Sequence, residues 1–214
     1  MGLETKNVFV SGRDYEDIVL YLSKVLAAEG LRPVITDYTP EHDMYYWFPH
    51  VRSVDPLDGI IDCGGVGYTY GLNHECEKTD HDITFRIYGH EFFNPEGNQV
   101  ILVTDERAGN IGWLEQGRAY PGSILIVRDY SGAAKHRIEY IAEKLESEKV
   151  YLLPLDIGDR ISGVLAGHND RFKFNRISVQ LKSMLLELAA SFLGDISLKK
   201  VRKAYKAAAG GGSR

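Results

Sequence analysis

The sequence predicts a doubly wound α/β domain, in which a mostly parallel sheet is flanked by helices in three layers. Short, continuous apolar runs recur along the chain, which is typical of strands that are covered on both faces. Amphipathic helical patterns fall between several of these runs. At 214 residues and 44% hydrophobic content, the chain is long enough to bury one substantial core.

Six apolar runs are predicted strands, and each is short enough to be a strand rather than a helix. In chain order they are Val8–Val10, Pro33–Asp37, Gly59–Cys63, Gln99–Asp105, Ser123–Arg128 and Lys149–Pro154. Asp37 and Asp62 are expected at the carboxyl ends of adjacent parallel strands, where open α/β sheets place their sites. They could hold a metal ion or water there, or they could only cap the turns that follow.

Three segments have apolar residues at helical spacing and are predicted helices: Asp14–Glu29, Ala133–Glu146 and Ile177–Leu193. Asp14 is the expected N-cap of the first helix. Two regions fit neither pattern. Tyr38–Pro56 is aromatic and irregular, and Gly64–Asn98 is predicted to be a long insertion rich in glycine, histidine and charge.

The turn between the first predicted strand and helix lacks a phosphate-binding loop. A nucleotide-binding protein of this layout would carry G-x-x-x-x-G-K-[ST] there, but the chain has Ser11-Gly12-Arg13-Asp14-Tyr15-Glu16-Asp17. Three carboxylates therefore replace the lysine and the amides. Like charges at close range cost about 1 kcal/mol each even in water, so we expect no ordinary ATP hydrolysis. The amides of Gly12 and Arg13 could still hold a single phosphate or sulfate.

The order of these segments resembles the MinD/ParA group of deviant P-loop ATPases over roughly residues 6 to 194. Val8–Ser11 resembles the first strand of that family, and Val34–Asp37 resembles the second, which ends in a Mg-associated aspartate. Asp58–Asp62 resembles the strand that ends in the Walker B-type aspartate. Val150–Asp156 resembles the strand beside the base, and a loop around Gly167 precedes the closing helix.

The resemblance implies a degenerate P-loop NTPase-like domain over residues 1–194, with residues 64–98 inserted. A basic helix over residues 195–208 and a low-complexity tail over residues 209–214 follow; residues 207–214 are left out of the predicted fold. The family's two loop lysines and its Mg-binding serine or threonine have no counterparts here. The implied degenerate nucleotide site consists of Ser11, Gly12, Arg13, Asp37, Asp62, Arg128 and Asp156.

This resemblance implies an interaction or positioning protein that does not hydrolyse ATP and that serves a membrane-associated assembly such as a pilus or secretion apparatus. The family dimerises across its nucleotide face, so a homodimer through Ser11–Asp17, Asp37 and Gly64–Tyr70 is expected. No cofactor is expected. The net charge of −5 gives no basic footprint for nucleic acid.

Six residues are candidates for protein or membrane contacts: Tyr46, Trp47, Gly65, Tyr68, Lys199 and Lys200. The first two belong to four consecutive aromatic residues that cannot all face inward, although plain packing is the alternative. The next two belong to a glycine-rich turn that couples nucleotide state to partner binding in the family. The lysines lie on a basic amphipathic segment, which could contact an anionic membrane, dock a partner or be solvated.

Two alternatives remain open from the sequence. An enzyme or zinc protein could use the Gly64–Asn98 insertion, with His74, Cys76 and His81 as weak candidate ligands. An anion or nucleotide could instead bind at the first helix with Arg13 as its cation. Two cysteines, no apolar leader and no apolar run near ~20 residues predict a cytoplasmic protein, with peripheral contact at the inner membrane as an option.

Overall fold

The structure, a computed structural model, describes residues 5–48, 59–70, 81–91, 93–95, 98–168, 173–194 and 196–210. The strands in these ranges are β1 Lys6–Gly12, β2 Pro33–Asp37, β3 Ile61–Asp62, β4 Gly67–Tyr70, β5 Ile83–Ile87, β6 Gln99–Asp105, β7 Ile124–Arg128 and β8 Lys149–Leu152. The α-helices are α1 Glu16–Ala28, α2 Ala108–Gln116, α3 Lys135–Lys144, α4 Ile157–His168, α5 Val179–Leu193 and α6 Leu198–Ala209. Tyr45–Trp47 forms a 3₁₀ turn.

The strands form one sheet in the order β3-β4-β2-β5-β1-β6-β7-β8, and each pair is parallel except β3 with β4. Helices α1, α5 and α6 cover one face of the sheet, and α2 and α3 contribute to the core on the other. Strand β1 shows how the sequence serves both layers, because Val8 and Val10 join the first core while Phe9 joins the second. The predicted three-layer α/β/α fold is confirmed.

The predicted insertion at Gly64–Asn98 was wrong. Its described residues include β4 and β5, and β5 lies between β1 and β2 near the middle of the sheet. This strand was not predicted because Thr84 and Arg86 interrupt its apolar run. The guanidinium of Arg86 donates to Asn7 Oδ1 at 3.2 Å and lies over the ring of Phe9, so a charged side chain is accommodated within a central strand.

The predicted third strand, Gly59–Cys63, differs from the structure in its length and in its place in the sheet. Only Ile61 and Asp62 are in a strand, and that strand pairs antiparallel with β4 at the edge of the sheet. Strand β4 separates β3 from β2, so Asp37 and Asp62 do not end adjacent parallel strands. The segment that we likened to the strand ending in the Walker B-type aspartate therefore contributes only a two-residue strand at the edge of the sheet.

Two helices were not predicted, and the bounds of a third differ from its predicted range. Helix α2 was not predicted, and α4 occupies the segment where a loop around Gly167 was expected. Helix α6 ends at Ala209, one residue beyond the predicted range of 195–208, and Ala207–Ala209 belong to the fold although residues 207–214 were expected to lie outside it. Ala209 is buried, and its carbonyl accepts a hydrogen bond from the Phe174 amide at 3.3 Å.

Candidate functional site

A cavity of about 510 Å³ lies beyond the carboxyl ends of β1, β2 and β5. Three segments line it: residues 12–16 after β1, residues 39–43 after β2 and residues 88–91 after β5. Open α/β sheets place their ligands at this edge. The predicted nucleotide face therefore contains a cavity, and its chemistry depends on the turn from β1 to α1.

The backbone amides of this turn are bonded within the protein. The Gly12 N–H donates to Gly89 O at 2.6 Å, and the Arg13 N–H donates to Val103 O at 3.1 Å. Gly12 has a φ of 124°, and a Cβ there would lie 1.8 Å from Val103 O, so only glycine allows this close approach to β6. The two amides that were candidates for holding an anion therefore already donate to carbonyl groups.

Ser11 and Arg13 make local contacts rather than a phosphate cradle. Ser11 is buried, and its hydroxyl donates to Gly89 O at 2.6 Å. Arg13 is exposed, and its Nε donates to His90 Nε2 at 2.8 Å. Burial and the neighbouring guanidinium lower the pKa of His90, which favours the neutral ring that this hydrogen bond requires.

Arg128 is buried in an ion pair with Asp17. Asp17 is the last residue of the segment Ser11–Asp17, which we call the acidic bend because it carries three carboxylates. Its Nη1 and Nη2 donate to Asp17 Oδ1 and Oδ2 at 2.5 Å and 3.0 Å, and Nη1 also reaches Asp14 O at 2.5 Å. Both side chains are only 5% exposed. Arg128 thus neutralises a carboxylate at the start of α1, a role that no local sequence pattern predicts.

Asp14 is not the N-cap of α1. Tyr15 occupies that position without a side-chain cap, and Asp14 has a φ of 55° in the left-handed region. The Asp14 carboxylate instead lies 3.1 Å from Arg160 Nη2 on α4 and 3.7 Å from Arg107 Nη2. Arg160 also forms an ion pair with Asp129. The acidic bend therefore receives its cations from distant parts of the chain.

The cavity wall is acidic. Five of its residues carry carboxyl groups: Asp14, Glu16, Glu41, Asp43 and Glu91. Burial is the main reason that the pKa of Glu16 rises to about 7, and Asp17 and Asp14 raise it further. The Tyr15 hydroxyl donates to Asp43 Oδ2 at 3.0 Å, and burial together with that carboxylate raises the pKa of Tyr15. Arg13 also lines the cavity, so carboxyl groups outnumber the arginine and lysine side chains in its lining.

Asp37 lies in the core, where it caps a turn. Its carboxylate accepts the Thr39 N–H at 2.9 Å, the Thr39 hydroxyl at 2.7 Å and the Met44 N–H at 2.9 Å. Burial raises the pKa of Asp37, and these hydrogen bonds oppose that shift. Asp62 is exposed at the sheet edge and accepts the Gly65 N–H at 3.2 Å. The structure thus keeps the two aspartates apart, and each supports its own turn.

Asp156 lies at the start of α4, outside the lining of the 510 Å³ cavity. The Asp156 carboxylate accepts the Asp159 N–H at 3.0 Å, so it caps the start of α4. Helix α4 passes close to the start of α1. A Cβ added at Gly163 would lie only 3.2 Å from Asp17 Oδ2. The sequence does carry a signal for α4, since Ile157, Ile161 and Val164 recur at helical spacing.

The candidate contact residues fall into different environments. Tyr46 is 70% exposed, whereas Trp47 is half-buried and packs against the core. Gly65 is exposed with a φ of 82°. Tyr68 is fully buried, and its hydroxyl donates to Asp37 Oδ2 at 3.3 Å, so Tyr68 as a contact residue was wrong.

Lys199 and Lys200 are exposed on α6. The apolar side of the same helix, which includes Val201, Ala204 and Tyr205, is buried in the core with α1 and α5. The Tyr205 hydroxyl donates to Phe174 O at 3.2 Å. The apolar face of α6 is therefore buried in the domain core, and its two lysines are exposed to solvent.

The metal alternative falls mostly outside the described residues. His74 and Cys76 lie in the segment that is not described, and the His81 carbonyl accepts a hydrogen bond from the Thr5 hydroxyl at 2.8 Å. Within the described ranges, no group of three or more histidine, cysteine or acidic side chains could hold a metal ion. Each helix in those ranges is also too short or too polar to cross a membrane.

Comparison with known proteins shows similarity at the level of structure. No family model and no curated protein matches the chain. The MinD cell division protein of Aquifex aeolicus is 12% identical with a TM-score of 0.57, over 90% of this chain and 98% of that one. A MinC:MinD cell division complex from the same organism gives 11% identity and a TM-score of 0.57, over 90% and 97%.

A third solved structure, described as a plasmid partition protein of Borrelia burgdorferi B31 bound to AMPPNP, is 10% identical with a TM-score of 0.55. That match covers 95% of this chain and 99% of the other. Identities this low establish the fold and not the activity. The chain has the three-layer α/β/α fold of the MinD/ParA P-loop NTPases.

Proposed function

We propose that this chain is a MinD/ParA-like interaction or positioning protein that does not hydrolyse ATP. The observation that carries the proposal is the hydrogen bonding of the turn after β1. The Gly12 and Arg13 amides donate to the carbonyls of Gly89 and Val103. A phosphate-binding loop needs such amides to point at the ligand.

The charges around the turn support the same conclusion. Arg128, the buried cation beside the start of α1, is held by Asp17 in a two-point ion pair. Moving it toward a phosphate would leave Asp17 as an uncompensated buried charge, which costs about 3–5 kcal/mol. The cavity itself presents carboxylates to an incoming anion. Polyphosphate binding would therefore have to overcome both effects.

Titration of the protein with ATP and Mg²⁺ by calorimetry, together with a phosphate-release assay, tests this proposal. We expect neither binding heat nor phosphate release, because the Gly12 and Arg13 amides already donate to carbonyl groups and the cavity lining carries five carboxyl groups. A matched titration with MgCl₂ alone controls for metal binding to the acidic wall. Micromolar binding of ATP accompanied by turnover would overturn the proposal.

A membrane-associated assembly, such as a pilus or secretion apparatus, is the setting that we propose for this role. It is supported by the fold and by the outward cations of α6, which leave the chain a basic surface despite its net charge of −5. One of the similar structures is a complex of MinD with MinC. A protein partner or a second copy is therefore the expected ligand, with peripheral contact at the inner membrane through Lys199 and Lys200.

Sedimentation with vesicles tests the membrane contact. Because the apolar side of α6 is buried, contact would be electrostatic and worth about 1 kcal/mol per lysine on an anionic surface. Lys200→Glu is therefore expected to weaken binding to anionic vesicles, whereas Lys135→Glu on α3 should have little effect. Equal binding of the two variants, or binding to neutral vesicles, would contradict the contact through α6.

A further inference from the structure

The 510 Å³ cavity carries more negative charge than its own side chains balance. Five carboxyl groups line it, against one arginine, Arg13, and no lysine among the described residues of the lining. Asp14 is compensated from outside the cavity, because Arg160 and Arg107 lie near its carboxylate. In the part of the chain that the structure describes, no ion pair is formed by the other four carboxylates: Glu16, Glu41, Asp43 and Glu91.

Arg13 does not supply the missing cation. Its Nε donates to His90 Nε2 at 2.8 Å, and the His90 ring stacks on Trp113 with 5.0 Å between the ring centres. The Trp113 Nε1–H also donates to His90 O at 2.6 Å, which fixes the segment that holds Arg13. Arg13 is therefore held along the wall that follows β5, and it forms no ion pair with a described carboxylate of the lining.

The four unpaired carboxylates differ in depth. Glu41 and Glu91 are exposed, whereas Glu16 and Asp43 are half-buried. Asp43 receives only the uncharged hydroxyl of Tyr15, and burial raises the pKa of Glu16 to about 7. A cation inside the cavity would stabilise the ionised form of Glu16. The exposed carboxylates would attract the same cation from solvent.

The size of the cavity and the spacing of its carboxylates favour an organic cation over a metal ion. A metal ion needs several ligands close together, and in the described ranges no group of three or more acidic, histidine or cysteine side chains could hold one. At about 510 Å³ the cavity instead has the size of a small-molecule or side-chain site. A guanidinium carries five N–H donors on a long side chain, so it can reach carboxylates on separate segments.

We infer that this cavity receives an arginine side chain of a partner protein. The occupant follows from charge complementarity: the half-buried carboxylates of Glu16 and Asp43 pair with the guanidinium, and the exposed Glu41 and Glu91 attract the basic segment that carries it. Arginine is also one of the residue types that contribute most to protein interfaces. The inference rests on the proposed function, because it gives the partner of that function a chemical character.

Titration of the ¹⁵N-labelled full chain with the peptide acetyl-Gly-Arg-Arg-Gly-amide, followed by NMR without nucleotide, tests the inference. We expect the amide signals of residues 12–16, 39–43 and 88–91 to shift, since these segments line the cavity. The affinity should fall several-fold at high salt, which screens the exposed carboxylates. The same peptide with citrulline in place of arginine keeps the shape without the charge and is expected not to bind.

Substitutions in the lining should weaken binding of the arginine peptide. Glu16→Gln is expected to raise the dissociation constant about tenfold, because it removes a half-buried charge. The double change Glu41→Gln with Glu91→Gln should raise it about three- to tenfold, since exposed ion pairs contribute less. Glu143→Gln with Glu148→Gln is the matched control. Both residues are exposed outside the cavity, and the net charge changes equally. Circular dichroism should show all variants folded.

The inference is overturned if millimolar arginine peptide leaves the cavity signals unshifted, if the citrulline peptide binds equally well, or if the two double variants behave alike. Spermidine tests the alternative source of the cation: binding as tight as that of the peptide would assign the cavity to a free polyamine and overturn the partner side chain. ATP turnover by the unchanged chain would overturn the proposed function instead, and the nucleotide-free titration would be interpreted independently of it.

Discussion

At the scale of single residues, Arg128 and Asp17 form a buried ion pair beside the turn from β1 to α1. They are 111 positions apart in the chain, and the end of β7 brings the guanidinium to the first turn of α1. The pair lies out of contact with solvent, where its net contribution depends on both partners being present. Its function is to allow a carboxylate at the start of α1 to stay buried.

Removing one partner of this pair should destabilise the protein more than removing both. Arg128→Met is expected to lower the free energy of unfolding by about 3–5 kcal/mol, because Asp17 would remain buried without a counter-charge. The double change Arg128→Met with Asp17→Asn should recover part of that loss. Urea denaturation monitored by circular dichroism provides the measurement. A cost below about 1 kcal/mol for the single change would show that water compensates Asp17.

Glu16 gives the protein a pH dependence near neutrality. Burial raises its pKa from 4.5 to about 7 in the folded state, so the folded protein holds a proton that the unfolded chain releases. Stability from this group is therefore full below pH 4.5 and is lost as the pH rises through 7. Glu16→Gln is expected to raise the free energy of unfolding at pH 8 by at most about 3 kcal/mol and to leave it nearly unchanged at pH 4.5.

Urea denaturation at both pH values checks this, with the exposed Glu41 as the control position. Glu41→Gln should shift stability little at either pH. If Glu16→Gln and its parent protein were equally stable at pH 8, the Glu16 carboxylate would have to be solvated in the folded protein.

At the scale of secondary-structure elements, α6 is the element whose role changed most between sequence and structure. Its basic amphipathic pattern suggested a helix that contacts a membrane, docks a partner or is solvated, but Val201, Ala204 and Tyr205 are buried among residues of α1 and α5. Stacking of Tyr21 on Phe174 and the edge contact of Phe174 with Tyr205 continue this packing. We therefore regard α6 as part of the domain core.

Two substitutions on α6 distinguish a packed helix from a detached one. Val201→Asp is expected to cost about 3 kcal/mol or more, because it places a charge in the core. Leu198→Asp on the same helix should change stability by no more than about 0.5 kcal/mol, since Leu198 is 55% exposed. Thermal melts followed by circular dichroism measure both. Similar costs for the two variants would contradict the packing of α6 against α1.

At the scale of the whole molecule, the sequence was informative where strands are apolar. Strands β1, β2, β6, β7 and β8 lie within or close to their predicted ranges, because each contains a short apolar run. Helices α1, α3 and α5 followed from their amphipathic periodicity in the same way. These elements were enough to predict the fold class.

The elements that the sequence did not reveal carry polar residues where an apolar pattern was sought. Strand β5 contains Thr84 and Arg86, and α4 turns its polar residues inward. The candidate site was harder still to predict, because two of its ion pairs, Arg128 with Asp17 and Arg160 with Asp14, join residues more than 100 positions apart. Such pairings are set by the order of strands in the sheet and cannot be obtained from local patterns.

The hydrogen bonds of Gly12 and Arg13 to residues beside β5 and β6 have a kinetic consequence under the proposed function. A protein that consumes ATP can couple the release of a partner to hydrolysis. A chain that does not hydrolyse ATP reaches equilibrium with its partners. The fraction of it bound at any location then follows mass action. The cell would then control where this protein acts by changing how much of it, or of its partner, is made.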